Sequence, residues 1–231
     1  MHRPHLNSND SYPMKTIKVH HFSDVLCVWA YVSQARIEEL CRIHGDDVKL
    51  DYHYVDVFGD VPGRLRDRWR DKGGLEAYAQ HVGEVVGGFD HVELSENAWR
   101  KVAPNSSTAC HHFLHAVGIA NGDDDRARAA WALRVAFFAQ ARDVSLRETQ
   151  LGIAQELCLN IVGIERALDS GAALARVSQD LRKAKEQAIS VSPTLVFNEG
   201  RQMLKGNVSF RAIEANVKEL LLDHPPGQSW C

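Results

Sequence analysis

Ser23-Asp24-Val25-Leu26-Cys27-Val28-Trp29-Ala30-Tyr31 joins a strand-like run, Ile17 to Phe22, to a helix-like run, Val32 to His44. The junction holds one cysteine. Free N–H groups and the positive end of the dipole at a helix start favour the thiolate, the form that attacks sulfur and carbon electrophiles. A two-cysteine redox centre needs a second thiol three residues on, and Ala30 stands there, so the stretch reads as half of a Cys-x-x-Cys motif. The competing reading makes Cys27 a small buried hydrophobe, the commonest use of a free cysteine.

Outward from this turn, Thr16 to Phe22 alternates as a strand, and the following helix carries Val32, Ala35, Ile37, Leu40, Cys41 and Ile43 on its apolar side before Gly45 stops it. Val48 to Phe58 alternates again, with Leu50, Tyr52 and Tyr54 facing away from Asp51 and His53. Strand, helix, strand with a crossover implies a parallel pair. Positions 61–187 are helical in pattern, with starts after Asn105-Ser106-Ser107, at Asp123-Asp124-Asp125, at Ser145-Leu146-Arg147-Glu148, which has capping-box form, and after Asn160. Strand character returns in Thr194 to Phe197 and Gln202 to Lys205, a hairpin through Asn198-Glu199-Gly200, and Ser209 to Leu222 forms a last amphipathic helix. The chain therefore divides into a tail over 1–15, an α/β unit over 16–60 and 188–222, an all-helical insertion over 61–187 and a second tail over 223–231.

A net charge of -3 on 231 residues, with a charged fraction of 25%, gives no electrostatic footprint for nucleic acid. The densest basic run, Arg64-Leu65-Arg66-Asp67-Arg68-Trp69-Arg70, reads as a solvated helix face. No stretch is apolar enough for a membrane span or a secretory signal, so the expected compartment is the cytoplasm. Cys27, Cys41, Cys110, Cys158 and Cys231 are odd in number and scattered, unlike a secreted disulfide framework. Twelve histidines raise the question of a metal, but neighbours such as His20-His21 and His111-His112 diverge on any strand or helix, and no metal is expected.

Asp24-x-x-Cys27-x-Trp29-x-Tyr31, Ser192-Pro193-Thr194 and Gly206-Asn207-Val208-Ser209-Phe210, set in the order βαβ, helical block, ββα, resemble the thioredoxin-like fold in its DsbA form. Over Thr16 to Leu222 the chain is similar to the branch holding FrnE-type oxidoreductases, 2-hydroxychromene-2-carboxylate isomerases and kappa-class glutathione transferases. That resemblance implies a cis bond before Pro193, a Ser192 backbone that pairs with an extended thiol ligand, and a helix start at Asn207, Val208 and Ser209 that receives the γ-glutamyl carboxylate of glutathione. It implies catalysis by Cys27, with Asp24 as a buried proton carrier or a carboxylate satisfying the turn, and Trp29 shielding the thiol. Asn105, Ser106 and Cys110 are further candidates for the cleft.

The sequence departs from the oxidoreductase pattern at Ala30 and at Val28, where proline is common, and from the isomerase and transferase pattern at Cys27, where serine is usual. The favoured expectation is a DsbA-like thiol-disulfide oxidoreductase acting through Cys27 alone, with glutathione as co-substrate resolving the adduct. The alternatives are a glutathione-dependent isomerase or transferase and a degenerate peptide-binding protein. Partners are a small-molecule or peptide thiol or disulfide, with no nucleic acid or membrane; a homodimer stays open.

Overall fold

A computed structural model describes residues 16–222; the tails assigned to 1–15 and 223–231, and Cys231, lie outside the described residues. Strands β1 (Ile17–Ser23), β2 (Val48–Tyr54), β3 (Thr194–Phe197) and β4 (Gln202–Lys205) form one sheet in the order β2-β1-β3-β4. β1 and β2 are parallel, with His20 opposite Asp51 and Phe22 opposite His53, while β3 runs antiparallel to both β1 and β4. The hairpin turns through Asn198, Glu199 and Gly200, all at positive φ, which the short polar side chain of asparagine and the bare glycine accept readily.

The period-two alternation of the strands decides what covers each face. Ile17 and Val19 with Leu195 and Phe197 pack beneath α2 (Gln34–His44) and α10 (Phe210–Leu221), against Ile37, Leu40, Ile213 and Val217. The opposite face carries Phe22 and Val196 against Ala184 and Ile189. Ala184 belongs to α9 (Ala172–Glu186), which thereby covers the Asp51 and His53 side of β2 as well. Polar residues on a strand here mark a buried network.

Between β2 and β3 lie α3 (Val61–Trp69), α4 (Gly74–Val86), α5 (Thr108–Asn121), α6 (Asp123–Phe138), α7 (Arg147–Glu156), α8 (Ile161–Asp169) and α9. Their core, including Phe113, Leu114, Leu133, Phe137 and Phe138, is continuous with Val25, Leu26, Val28 and Tyr31 of the cysteine turn. The turn is thus a shared wall between the sheet unit and the helical block.

Three local readings need correction. The helix after the turn begins at Val28 as α1 (Val28–Val32) and breaks at Ser33 before α2. β2 ends at Tyr54; Val55 makes a last bond to the Ser23 carbonyl, and the chain then turns, the Gly59 N–H donating to the Asp56 carbonyl. The capping box at Ser145 does not form: its hydroxyl donates to Asp143, and α7 starts two residues later behind an uncapped Leu146. α5 begins after Asn105-Ser106-Ser107 as the sequence suggests, with Ser107 as its N-cap residue but no side-chain cap bond. By contrast, the Asn160 side chain accepts from the Gly163 N–H at the head of α8, as its residue type suggests.

Candidate active site

Cys27 is the N-cap of α1, 5% exposed, and its Sγ donates to the Ser192 carbonyl at 3.1 Å. The Ser192–Pro193 peptide bond is cis. The Ser192 hydroxyl accepts from the Asp24 N–H at 2.8 Å, so two bonds join the start of β3 to the cysteine turn. The thiol is held as a donor. Burial pushes it above its ordinary range, and the nearby negative charge of Asp24 acts in the same direction. The acidifying effect expected of a helix start is outweighed, because α1 is one short turn and the sulfur is shut away from water.

Asp24 is fully buried beneath the thiol. Its Oδ1 accepts from the Leu26 N–H at 2.8 Å, and its Oδ2 from the Phe58 N–H and the Ser107 hydroxyl, both at 2.8 Å. Ser107, the N-cap residue of α5, thus spends its hydroxyl on Asp24 and not on the helix. Burial raises the carboxyl to about 6 even against those bonds. The His111 Nε2, 3.8 Å from Oδ1, accepts from the Val25 N–H and is neutral, burial having lowered it to about 3. Asp24 thus fastens β1, the loop after β2 and α5 around the cysteine turn, and its carboxylate bonds go to those three groups and not to Cys27.

Cys27, Trp29 and Ser192 border a cleft of about 380 Å³ whose other wall is built by Phe58, Arg64, Arg68, Trp69, Lys72 and Tyr78. The basic run is therefore more than a solvated face. Residues 64, 68 and 72 recur at four-residue intervals, the spacing that brings side chains to one side of a helix, and this signal could have located the wall. The Arg64 guanidinium lies 4.6 Å from the Phe58 ring centroid and Lys72 5.1 Å from that of Trp69, so the aromatic groups hold the cations in place. An anionic, extended or aromatic ligand lying against the sulfur would meet charge on one side and flat apolar surface on the other.

Other candidates lie apart from this cleft. Pro193 and Val208 line a separate small cavity with His21 and Ile213. Asn207 and Ser209 are exposed; the Asn207 side chain accepts from Arg36, and Ser209 is the N-cap of α10 without a side-chain cap bond. The Asn105 carbonyl accepts from Val61, and the Ser106 hydroxyl from the Thr108 N–H, which are turn and helix-start roles. Cys110 is buried and donates to the Val144 carbonyl, which removes it from the cleft.

Residues 18–218 match the model of the DSBA-like thioredoxin domain. No match was found among curated protein sequences. Among solved structures, the chain is similar to a candidate protein disulfide isomerase from Nitrosomonas europaea, at 15% identity and TM-score 0.72, covering 90% of this chain and 98% of the other. It is also similar to the cytosolic disulfide reductase DsbM from Pseudomonas aeruginosa with GSH, at 17% identity and TM-score 0.66, covering 89% and 100%. A 2-hydroxychromene-2-carboxylate isomerase superposes at 17% identity and TM-score 0.64, covering 88% and 95%. These likenesses carry the fold, whereas the family match spans almost all the described residues. The chain belongs to the DSBA-like thioredoxin family.

Proposed function

We propose that the protein is a thiol-disulfide oxidoreductase that works through Cys27 alone and uses glutathione to complete each cycle. The observation that carries this reading is the Cys27 sulfur bonded to the Ser192 carbonyl at the border of an open cleft with a cationic wall. A peptide-like ligand that offers a backbone N–H to Ser192 takes over the bond now made by the thiol, and Arg64, Arg68 and Lys72 favour the anionic sulfur that results. After its proton passes to solvent, the Cys27 thiolate attacks the glutathione sulfur of a mixed disulfide. A Cys27–glutathione disulfide forms and the substrate leaves as a thiolate that takes up a proton. A second glutathione, as thiolate, attacks the adduct, releasing oxidised glutathione and the Cys27 thiolate. Each cycle therefore consumes one glutathione thiol, the other half of the oxidised glutathione coming from the mixed disulfide. With Ala30 in the second position, resolution comes from another molecule. The segment leading into α10, Asn207, Val208 and Ser209, is the proposed seat of a glutathione carboxylate.

A second reading is favoured by the aromatic lining from Trp29, Phe58, Trp69 and Tyr78. In it Cys27 positions the sulfur of bound glutathione against an aromatic substrate, as a glutathione-dependent isomerase or transferase requires. Deglutathionylation of a mixed-disulfide peptide, coupled to glutathione reductase, separates the two. The oxidoreductase reading expects turnover that Cys27→Ser abolishes and that Arg64→Gln reduces roughly tenfold, one charge-assisted contact being lost. Turnover of a chromene carboxylate, with no reduction of the mixed disulfide, would replace it by the second reading.

A further inference from the structure

The parallel register of β1 and β2 sets His20 beside Asp51, and His53 follows Asp51 by two residues on the same face. Three donor atoms converge there: His20 Nδ1 and His53 Nε2 are 3.0 Å apart, and Asp51 Oδ2 lies 3.2 Å from the first and 3.3 Å from the second. Four ligands around an ion at 2.0–2.1 Å stand roughly 3.3 Å from one another, so the triangle has nearly the edges of one tetrahedral face around zinc.

The surroundings are those of a metal ligand set. The other nitrogen of His53, Nδ1, pairs with the buried Asp180 carboxylate at 2.7 Å, which fixes the ring and aims Nε2 at the triangle. Asp180 is itself anchored by His115 at 2.7 Å and the Tyr54 N–H at 2.9 Å. The three atoms repel one another at such separations unless a ring proton is shared between them or a further cation lies among them. The Lys183 ammonium supplies one, 2.9 Å from His53 Nε2 and 3.1 Å from His20 Nδ1. It hangs on a flexible stem and can swing to solvent. Lys18 bonds Asp51 Oδ2 at 2.8 Å from the outer side, and a carboxylate oxygen can serve both.

We propose that His20, Asp51 and His53 bind a divalent ion of the zinc class, with Asp180 orienting His53, Lys183 as the displaceable cation and a fourth position left to water. None of the three ligands lines the Cys27 cleft, so the site stands whether or not the proposed thiol chemistry holds. Borderline-soft ions suit two imidazoles and one carboxylate better than magnesium or calcium.

The test titrates the full chain with Zn2+ in competition with a chromogenic chelator. The parent should bind an equivalent whose affinity falls at least roughly tenfold in His20→Ala, Asp51→Asn and, through ligand orientation, Asp180→Asn. Lys183→Ala, which removes no ligand and truncates a side chain that is only half-buried, should bind roughly tenfold more tightly because a like charge is gone. Co2+ in the parent should give the visible absorption of tetrahedral coordination, absent in His53→Gln. Parent affinity unchanged by the ligand substitutions, weaker binding in Lys183→Ala, or no Zn2+ bound by the parent would overturn the proposal.

Discussion

Asp24 shows how one carboxyl ties stability to pH. Its folded value of about 6 lies above the ordinary 3.8. Between those values the unfolded chain has released a proton that the folded chain still holds. The stabilising term is fully present below the ordinary value and is lost as pH rises to the folded one, a difference of about 3 kcal/mol. Asp180 has the opposite sign: burial pushes its carboxyl up, but bonds from His115 and His53 outweigh it and hold it at about 2, so its term disappears only below the ordinary carboxylate range. Chemical denaturation of the parent and Asp24→Asn from about pH 4 to pH 7 isolates the first effect, because asparagine does not titrate. The stability difference between the two proteins should move by about 3 kcal/mol in favour of the variant as pH rises. Parallel curves would mean that the buried carboxyl does not titrate in this window.

At the scale of the element, α1 decides what chemistry the cysteine turn can carry. Cys27 is its N-cap and Ala30 its third residue, so a thiol at position 30 would lie within bridging distance across one turn. Ala30 is buried, and the added sulfur costs about 1–3 kcal/mol in overpacking. Ala30→Cys should nonetheless lose two titratable thiols in oxidised glutathione and gain insulin-reducing activity. If the thiol count is unchanged, the turn is too rigid to close the bridge. The head of α8 offers a plainer case: Asn160→Ala removes the acceptor for the Gly163 N–H and should cost about 1 kcal/mol, lowering Tm by about 2–4 °C. An unchanged melting temperature would show water replacing the cap.

Over the whole molecule, the cleft is the seam where the helical block meets the cysteine turn, and Trp99 braces that seam. Its fully buried ring stands 5.5 Å from Phe58, 5.0 Å from Tyr78 and 5.0 Å from Phe137, centroid to centroid, linking two cleft-lining residues to the core of α6. Trp99→Ala should cost about 3–5 kcal/mol by the cavity it leaves. It should also slow reaction at Cys27 with a glutathione mixed disulfide at temperatures where the fold persists, because Phe58 and Tyr78 lose their backing. A destabilised variant with unaltered Cys27 kinetics would confine Trp99 to packing.

The order of strands and helices, the single cysteine at a strand-to-helix turn, the proline at the start of β3 and the Asn160 cap were legible in the sequence, because alternation, helical period and capping are short-range effects of neighbouring residues. The protonated state of Cys27, the three donors around Asp24, the cationic wall and the cluster of His20, Asp51 and His53 were decided only by the tertiary structure. His20 and His21 do diverge on one strand, as adjacency requires, yet β-register brings His20 to Asp51 and His53 from about 30 residues away. Burial likewise belongs to the fold: the same cysteine at an open helix start would be acidic, but packed between the sheet and the helical block it keeps its proton.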